Sequence, residues 1–541
     1  MNLLMRPHQR VIALFFTVCL AGPAFGSEYI PPGSDVPEST RGLYFAKKHY
    51  VPEPLPGFAE YRDKLPSPIL DSRPELVAMY WKCWELAFRN MKSPPPGSPF
   101  VSNWIDPAFN KNIFEWDSVF ILMFARYGNA AFPAIQTLDN FYCRQRANGF
   151  IGREIHRSDG LETFVDGPKD AINPPLFSWA EVESFRLTGD KSRFAMVLPP
   201  LEHYVAWLNR DGDPESANGT DWQDRGRRAA GSVHHLYWNT PLGSGMDNTP
   251  RHGNGWVDMS SQMVIQYNNL ATICDELALP AKAAAYRAEA KAIGERINRW
   301  CWNEEDGFYY DVDNDGRQFR VRTAGGFWPM VAGVASPHQV ARLVAHLRDE
   351  REFWRPFVFP TLAADDPHYQ NDGSYWLGGV WAPTNFVIIK GLERCGQEDF
   401  ATEATDRYLT AMAEVFRRTG TVWEDYAPEA PLRPGNPAKA NLVGWTGDGP
   451  IALLIENMLG FRSDGVRRRL EWRITRTDRH GIERLHVGPV TVSAVCAARA
   501  SADSPAELVV TNDAPLDLTV WKSGTERKYS LEPGRHAIEV E

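Results

Sequence analysis

Cysteine is scarce in this chain, and no two cysteines stand close together. Seven of the 541 residues are Cys, and those beyond residue 26 are spread from Cys83 to Cys496 without a C-x-x-C pair. This spacing argues against a structural zinc site and against a dense disulfide framework. We expect most of these thiols to be buried as small apolar groups, although an oxidising compartment would permit one or two disulfides.

Long basic runs and long apolar runs are also missing. The formal net charge is −10 and no extended Lys/Arg cluster occurs, so a nucleic-acid-binding surface is not indicated. Beyond residue 26 no stretch approaches the roughly 18 uncharged apolar residues of a membrane span. The sequence also lacks H-E-x-x-H, a P-loop and a G-x-S-x-G placed between a strand and a helix. We therefore expect no metal, no cofactor, no nucleic-acid partner and no membrane attachment of the mature chain.

Residues 1–26 have the pattern of a secretory signal peptide. Arg6 and Arg10 give a positive start, the apolar run 11–21 is too short to cross a bilayer comfortably, and small residues precede Ser27. The pattern predicts a periplasmic or secreted protein that begins near Ser27 after cleavage.

The rest of the sequence divides into three parts by composition. Residues 27–70 are rich in Pro and Gly and predict an extended N-terminal segment that lies on the main domain. Residues 71–462 carry apolar residues at helical spacing. Residues 463–541 alternate apolar and polar residues between turn signals, which predicts a small C-terminal β-sandwich-like domain.

The helical part predicts about twelve helices that come in pairs. The predicted helices span 75–90, 114–127, 130–146, 175–188, 193–209, 257–277, 280–299, 336–348, 379–394, 398–418 and 446–460. The second of these is apolar on nearly all sides, as an inner helix of a larger assembly would be. Paired helices around an apolar inner set favour a mainly α fold, an (α/α)6 barrel built as a toroid of six helical hairpins.

Aromatic residues are abundant, and two acids stand beside them. Aromatics make up 12% of the chain, including 19 Trp, which favours a surface that stacks on sugar rings over one that only packs a core. Asp247 lies in a Gly- and Pro-rich turn, and Glu424 follows Trp423. Aromatic neighbours raise the pKa of an acid by desolvation. Hydrolysis of a glycoside needs two such acids, one to protonate the leaving oxygen and one to activate water.

Three further acids fit ordinary roles better than catalysis. Asp425 and Glu429 stand beside Glu424, and Asp258 falls at the start of a predicted helix. Loop acids are more often solvated or capping residues than catalytic ones. We therefore predict that Asp247 and Glu424 face each other across one pocket.

Five motifs in a fixed order resemble the trehalase-like clan of inverting glycosidases. The resemblance is greatest to bacterial glycoside hydrolase family 63, including mannosylglycerate and glucosylglycerate hydrolases. The motifs are Trp116-Asp-Ser118, Ser244-Gly-Met-Asp-Asn248, Gly373-Ser-Tyr-Trp-Leu-Gly-Gly-Val-Trp381, Val422-Trp-Glu-Asp-Tyr426 and Gly444-Trp-Thr-Gly447. Together they span about 110–460, most of the chain.

The resemblance implies a set of roles within an (α/α)6 barrel. It implies that Asp247 is the general acid and Glu424 the general base. The side chains that would bind the cleaved sugar are Trp116, Asp117, Tyr375, Trp376, Trp381, Trp423 and Trp445. The alternative for Asp117 is a helix N-cap, and for the Trp residues a place in the barrel core. This chain has Leu377 where many relatives have Arg, so a charged substrate contact is absent and the substrate stays open.

One stretch resembles the start of a calcium loop. Asp311 to Gly316 begins like an EF-hand, but the twelfth position is Arg322 rather than the bidentate Glu that calcium needs. Tyr309 and Tyr310 before it favour a hairpin turn instead.

The sequence thus predicts an exported, inverting hydrolase of a small α-glucoside or α-mannoside, and it does not indicate an oligomeric state. Two other functions remain open. An α/α-toroid polysaccharide lyase would need a Tyr/His pair and a basic cleft, which the sequence does not present. A non-catalytic sugar-binding protein would have little reason to retain both acids.

Overall fold

The computed structural model describes residues 36–107, 112–163, 172–209 and 234–541. The predicted signal peptide and the first part of the predicted N-terminal segment lie outside the described residues. No helix within these ranges is long and apolar enough to span a bilayer. Their six cysteines are free thiols, and all but Cys395 are buried, as expected for small apolar groups.

Twelve helices between residues 74 and 458 form the main body of the described chain. The odd-numbered helices are α1 (Pro74–Arg89), α3 (Asp139–Arg144), α5 (Phe194–Leu208), α7 (Pro280–Trp300), α9 (Pro337–Arg348) and α11 (Glu398–Thr419). The even-numbered helices are α2 (Glu115–Ala125), α4 (Phe177–Thr188), α6 (Val257–Glu276), α8 (Trp328–Ala332), α10 (Ala382–Arg394) and α12 (Gly449–Met458), the last wound as a π-helix. The prediction of a mainly helical body is confirmed.

The even-numbered helices contact one another in cyclic order. Each contacts the next, from α2 to α12, and α12 with the turn before it (Trp445–Asp448) returns to α2. Their composition explains the arrangement, because all residues of α2 and α12 are buried, whereas α7 buries only five of its 21. A helix that is apolar on every side is stable only when other elements surround it.

The predicted helix limits differ from the structure where local pairing or proline intervenes. The predicted helix 379–394 begins at Ala382, because Val380 pairs with Tyr426 as a β-bridge and Pro383 occupies the first turn. The predicted helix 130–146 is a 3-10 turn followed by the short α3. The sequence does not predict the five-residue α8, since it is too short to show a helical period.

Nine labelled strands form two sheets, and eight of the strands follow Leu459. They are β1 (Ser67–Leu70), β2 (Phe461–Asp464), β3 (Arg469–Arg473), β4 (His480–Val487), β5 (Val490–Cys496), β6 (Ala506–Asn512), β7 (Leu516–Lys522), β8 (Thr525–Leu531) and β9 (Gly534–Val540). The sheets have the orders β1-β4-β5-β6-β9 and β2-β3-β7-β8. Burial alternates along β5, as the sequence pattern predicts for a strand with one face in a core. The predicted C-terminal strand region is confirmed.

The described part of the N-terminal segment contacts both the helical body and the C-terminal sheet. Arg41 pairs with Glu162 and Lys47 with Asp139. Further along, β1 pairs antiparallel with β4 and forms the edge of the five-stranded sheet. An edge position tolerates Pro68, whose missing N–H would interrupt a central strand. The N-terminal segment therefore joins the C-terminal sheet through residues 67–70.

The hairpin predicted in place of a calcium loop is confirmed. Asp311 and Val312 pair antiparallel with Gln318 and Phe319 across the turn. The Asp311 carboxylate is engaged by the Arg251 guanidinium at 2.9 Å, so its role in the described structure is an ion pair.

Candidate active site

Asp247 lies in a turn that packs against α2. The turn winds through a short 3-10 helix (Leu242–Ser244) to Gly245, whose φ of +78° is a left-handed conformation that favours glycine. A Cβ on Gly245 would approach the Trp116 ring to 2.6 Å. Only glycine therefore lets this turn sit directly on Trp116. Asp247 follows, half-buried, two residues after Gly245.

Asn248 joins the Asp247 turn to the aromatic loop 373–381. Its side-chain nitrogen donates to the Ser374 carbonyl at 3.0 Å, and the Trp376 amide donates to its side-chain oxygen at 2.8 Å. These two hydrogen bonds fix the acid-bearing turn against the loop.

Four of the predicted aromatic residues form one cluster. Trp376 stacks on Trp381 with ring centroids 3.9 Å apart and planes 7° from parallel. Tyr375 and Trp445 each meet Trp381 edge-on, at 4.9 and 5.7 Å. The three Trp rings are almost fully buried, and only Tyr375 is half-buried. Tyr375 is therefore the ring of this cluster that is accessible to a ligand, and the Trp residues support it.

Glu424 is buried, and Lys439 contacts both of its carboxylate oxygens. The Lys439 amide donates to Oε2 at 3.1 Å, and the Lys439 ammonium lies 3.5 Å from Oε1. The Glu424 amide donates in turn to the Lys439 carbonyl at 2.9 Å. Burial raises the pKa of Glu424, and the positive charge and hydrogen bonds of Lys439 oppose the rise. The sequence does not predict this role of Lys439, because nothing in its sequence neighbourhood marks it.

The loop that carries Glu424 is fastened to the aromatic cluster. Val380 and Tyr426 exchange backbone hydrogen bonds of 2.8 and 3.1 Å. The Trp445 indole N–H donates to the Glu424 carbonyl at 3.3 Å. The loops of Asp247 and Glu424 are thus both attached to the loop 373–381.

Electrostatic interactions link Asp117 with Asp247 and Glu424, and they link all three acids with Tyr375. Burial raises the pKa of Asp117 well above its usual range, Glu424 and Asp247 raise it further, and Arg153 opposes them. Burial also raises the pKa of Tyr375, and Asp247, Glu424 and Asp117 add to that rise. The field of a charge weakens with distance, so these contributions indicate that Tyr375 lies in the same region as Asp247, Glu424 and Asp117.

Arg153 is a second residue that sequence reasoning misses. Its guanidinium donates to the Leu242 carbonyl at 2.9 Å, and its own carbonyl accepts from the Glu115 amide at 2.9 Å. It thereby connects the Asp247 turn to the first residue of α2 and places a positive charge near Asp117.

Trp423 is placed apart from the aromatic cluster. Its indole N–H donates to the Thr419 hydroxyl at 3.1 Å, at the end of α11. Among the described residues no ring contact joins Trp423 to Trp381 or its neighbours. Trp423 is therefore not part of the aromatic cluster that Tyr375, Trp376, Trp381 and Trp445 form.

The three acids predicted to be solvated or capping residues have other environments. Asp258 is buried and pairs with Arg251, and Glu429 pairs with Arg355 at 2.7 Å. The prediction that Asp425 is solvated or capping is wrong. It is fully buried, and neither carboxylate oxygen has a hydrogen-bond partner in the described part of the chain. Burial, and then Glu424, raise its pKa to about 9, so it is neutral at pH 7.

The described residues contain no group of three or more His, Cys, Asp or Glu side chains that could hold a metal ion. The side chains brought together in this region are carboxyl groups, the Lys439 ammonium, the Arg153 guanidinium and aromatic rings. Such a set can transfer protons and stack on apolar faces.

Residues 252–435 match a known family, described as the mannosylglycerate hydrolase MGH1-like glycoside hydrolase domain. The match includes the aromatic loop and Glu424 and begins just after Asp247.

Several curated proteins and solved structures are similar to the chain. It is 28% identical over 384 residues to an uncharacterized protein of Borreliella burgdorferi, with 69% of this chain and 77% of that protein covered. It is 24% identical over 427 residues to a periplasmic trehalase of Xanthomonas oryzae pv. oryzae, with 69% and 71% covered. The family 63 mannosylglycerate hydrolase of Thermus thermophilus, solved with glucose, has a TM-score of 0.52 at 18% identity, with 69% of this chain and 99% of that chain covered. The structural likeness shows that this chain and the mannosylglycerate hydrolase share a fold.

Proposed function

We propose that this chain, a trehalase-like glycoside hydrolase most similar to family 63, cleaves a small α-glucoside or α-mannoside with inversion at the anomeric carbon. Asp247 protonates the leaving oxygen, and Glu424 removes a proton from the attacking water. In inverting enzymes the two carboxyl groups stand roughly 6.5–9.5 Å apart, so that a water fits between Glu424 and the sugar. The observation that carries the assignment is that the loops of Asp247 and Glu424 are both hydrogen-bonded to the loop 373–381, which holds the accessible ring of Tyr375.

The proposed fold is an (α/α)6 barrel with a C-terminal β-sandwich-like domain. The cyclic contacts of the even-numbered helices support the barrel, and the two sheets support the sandwich. Asp117 lies in the first turn of α2, and Trp381 and Trp445 lie just before α10 and α12. These positions support a sugar site at the end of the barrel where these helices begin.

The proposed sugar subsite is lined by an accessible ring and backed by buried ones. Tyr375 offers its half-buried ring to the sugar, and Trp376, Trp381 and Trp445 hold that ring in place. Burial raises the pKa of Asp117, and its carboxyl group can form a hydrogen bond with a sugar hydroxyl. Trp116 forms the floor beneath the Asp247 turn, and Trp423 contacts substrate only at the rim of the site.

A panel of trehalose, α-glucosides, α-mannosides and glycosylglycerates tests this proposal. We expect release of a free monosaccharide from at least one member of the panel. Binding of a sugar without turnover of any member, measured with the purified chain by calorimetry and product analysis, would favour a sugar-binding protein. Release of an unsaturated product would indicate a lyase.

Substitution of Lys439 should change the pH dependence of the reaction. A general base works when ionised, and Lys439 counteracts the burial that raises the pKa of Glu424. Lys439→Met should therefore raise the pKa of Glu424 further. The acidic limb of the kcat/KM profile should then shift to higher pH. The measurement is the pH profile of kcat/KM from pH 4 to 9.

The charge-retaining variant Lys439→Arg is the matched control and should keep the wild-type acidic limb. The Lys439 side chain is half exposed. Added salt should therefore weaken the effect of the Lys439 charge on the pKa of Glu424. The pH profile of the wild type should then move towards that of Lys439→Met. An unchanged acidic limb in Lys439→Met would contradict this role of Lys439.

Export to the periplasm is proposed from the sequence pattern of residues 1–26 and from the similarity to a periplasmic trehalase. Mass spectrometry of protein from the native host should find a mature N-terminus near Ser27. Recovery of an intact chain that begins at Met1 from the cytosol would contradict it.

A further inference from the structure

A cavity of about 590 Å³ lies at the end of α2 and α10 that is opposite the proposed active site. It is lined by Arg126, which follows α2, and by Lys390, four residues before the last residue of α10. Asp117 and Trp381, at the opposite ends of the same helices, belong to the proposed active site. Nine residues of helix separate each pair, roughly 13 Å along the axis. The volume is typical of pockets that bind small molecules.

Basic side chains outnumber acidic ones around this cavity. Six of its lining residues are Arg or Lys and three are Glu, in a chain whose formal net charge is −10. Two of these cations are paired with acids outside the lining, Arg287 with Asp275 and Arg462 with Glu398. The remaining excess of positive charge is small, and it favours anions over cations.

The three Glu side chains are already occupied. Arg126 and Arg186 bond separate oxygens of Glu183. Glu456 is bonded by Arg126, Lys390 and the Tyr127 hydroxyl. The pKa of Glu183 and the pKa of Glu456 are both lowered despite burial, because these cations hold them, so both acids are ionised.

Glu393 is occupied in the same way. Its oxygens accept from Lys390 at 3.0 Å and from the Asn457 side chain at 2.5 Å. The carboxylates of the cavity therefore have little remaining capacity to accept hydrogen bonds, whereas the guanidinium groups still have N–H groups to donate.

Arg394 has no partner among the residues that the structure describes. No carboxylate there lies within ion-pair distance of it, and its guanidinium lies over Gly333, where a Cβ would approach Nη2 to 2.6 Å. Arg186, which uses Nη1 for Glu183, also lines the cavity. Arg186 and Arg394 are both exposed side chains that line this one cavity. Partial burial, and then the charge of Arg186, lower the pKa of Arg394.

The partial negative charges at the C-terminal ends of the helices explain only part of the positive charge around the cavity. The C-terminus of a helix carries a partial negative charge that favours basic residues in its last turn. That effect explains why Arg and Lys stand at these positions. It does not supply a hydrogen-bond acceptor for the Arg394 guanidinium, which has five N–H groups in a planar fork suited to carboxylate and phosphate oxygens.

We propose that this cavity is a second ligand site, which binds a small anion bearing a phosphate or carboxylate group between Arg186 and Arg394. The site is separate from the proposed catalysis, because it lies at the opposite end of α2 and α10. Phosphate and carboxylate share the recognition chemistry, and the experiment distinguishes them.

Isothermal titration calorimetry of the full mature chain tests the proposal. Inorganic phosphate and malonate are titrated separately at constant ionic strength, with chloride as the reference anion. We expect saturable binding of at least one of the two. Arg394→Gln and Arg186→Gln should each weaken it by roughly 10–100-fold, since a hydrogen bond to a charged group contributes about 1.5–3 kcal/mol.

Arg317→Gln is the matched control, because Arg317 is an exposed arginine on the 311–319 hairpin, and it should bind like the wild type. Circular dichroism of each variant establishes that it is folded. The absence of saturable binding of both anions by the wild type would overturn the proposal. Equal weakening in Arg317→Gln would also overturn it, because the effect would then be one of net charge. This experiment measures anion binding and not glycosidase activity. Failure of the anion-site proposal would therefore not contradict the proposed function.

Discussion

Glu424→Gln is expected to lower kcat by about 10²–10⁴-fold on every substrate that the enzyme cleaves. The amide cannot take the proton of the attacking water, and water attack is required whatever the leaving group. Natural substrates and the corresponding glycosyl fluorides should therefore lose activity alike. The measurement is kcat and kcat/KM for one substrate of each kind.

Glu429→Gln is the matched control for Glu424→Gln. Glu429 lies five residues away and is bonded by Arg355 and Tyr369 rather than exposed to the proposed pocket. Its removal should lower stability and leave kcat close to the wild-type value. If Glu424→Gln kept more than about a tenth of the wild-type kcat, below the usual contribution of a general base, Glu424 would not be the base.

Asp247→Asn is expected to separate substrates by their leaving groups. The variant lacks the proton donor but keeps Glu424, so substrates with poor leaving groups should lose about 10²–10⁴-fold in kcat. Glycosyl fluorides, whose departure needs little protonation, should lose much less. The ratio of the two losses distinguishes the acid from the base, because Glu424→Gln should give a ratio near one.

Asp315→Asn removes one negative charge from an exposed acid and serves as the control. Added azide provides a second check on Asp247→Asn. Azide rescues acid/base variants of retaining enzymes by attacking a glycosyl-enzyme, and an inverting enzyme forms no such intermediate. Azide rescue, or equal losses on both kinds of substrate, would contradict the role of Asp247.

The parts of the structure that the sequence predicts are those with strong local patterns. Helix α2 is predictable because it is apolar on every side, and the strand region after Leu459 because its residues alternate. The hairpin at Asp311 is predictable because Arg322 stands where a calcium loop needs Glu. In each case the information lies within a few neighbouring residues.

The parts that the sequence does not predict depend on contacts between distant segments. Lys439 touches Glu424, and Asn248 touches Ser374 and Trp376, only because the chain brings separate loops together. Asp425 illustrates the same limit, since its burial depends on how the loop of Glu424 folds. Composition cannot tell whether a tryptophan stacks on a sugar or on another tryptophan, as Trp376 does on Trp381.

The anomeric configuration of the first product tests the central claim most directly. A substrate identified in the panel is hydrolysed by the wild-type enzyme, and proton NMR follows the anomeric signals before mutarotation. Inversion by water under Glu424, with Asp247 as acid, predicts that an α-glycoside first releases the β-anomer. First appearance of the α-anomer would show retention and contradict the roles proposed for both acids.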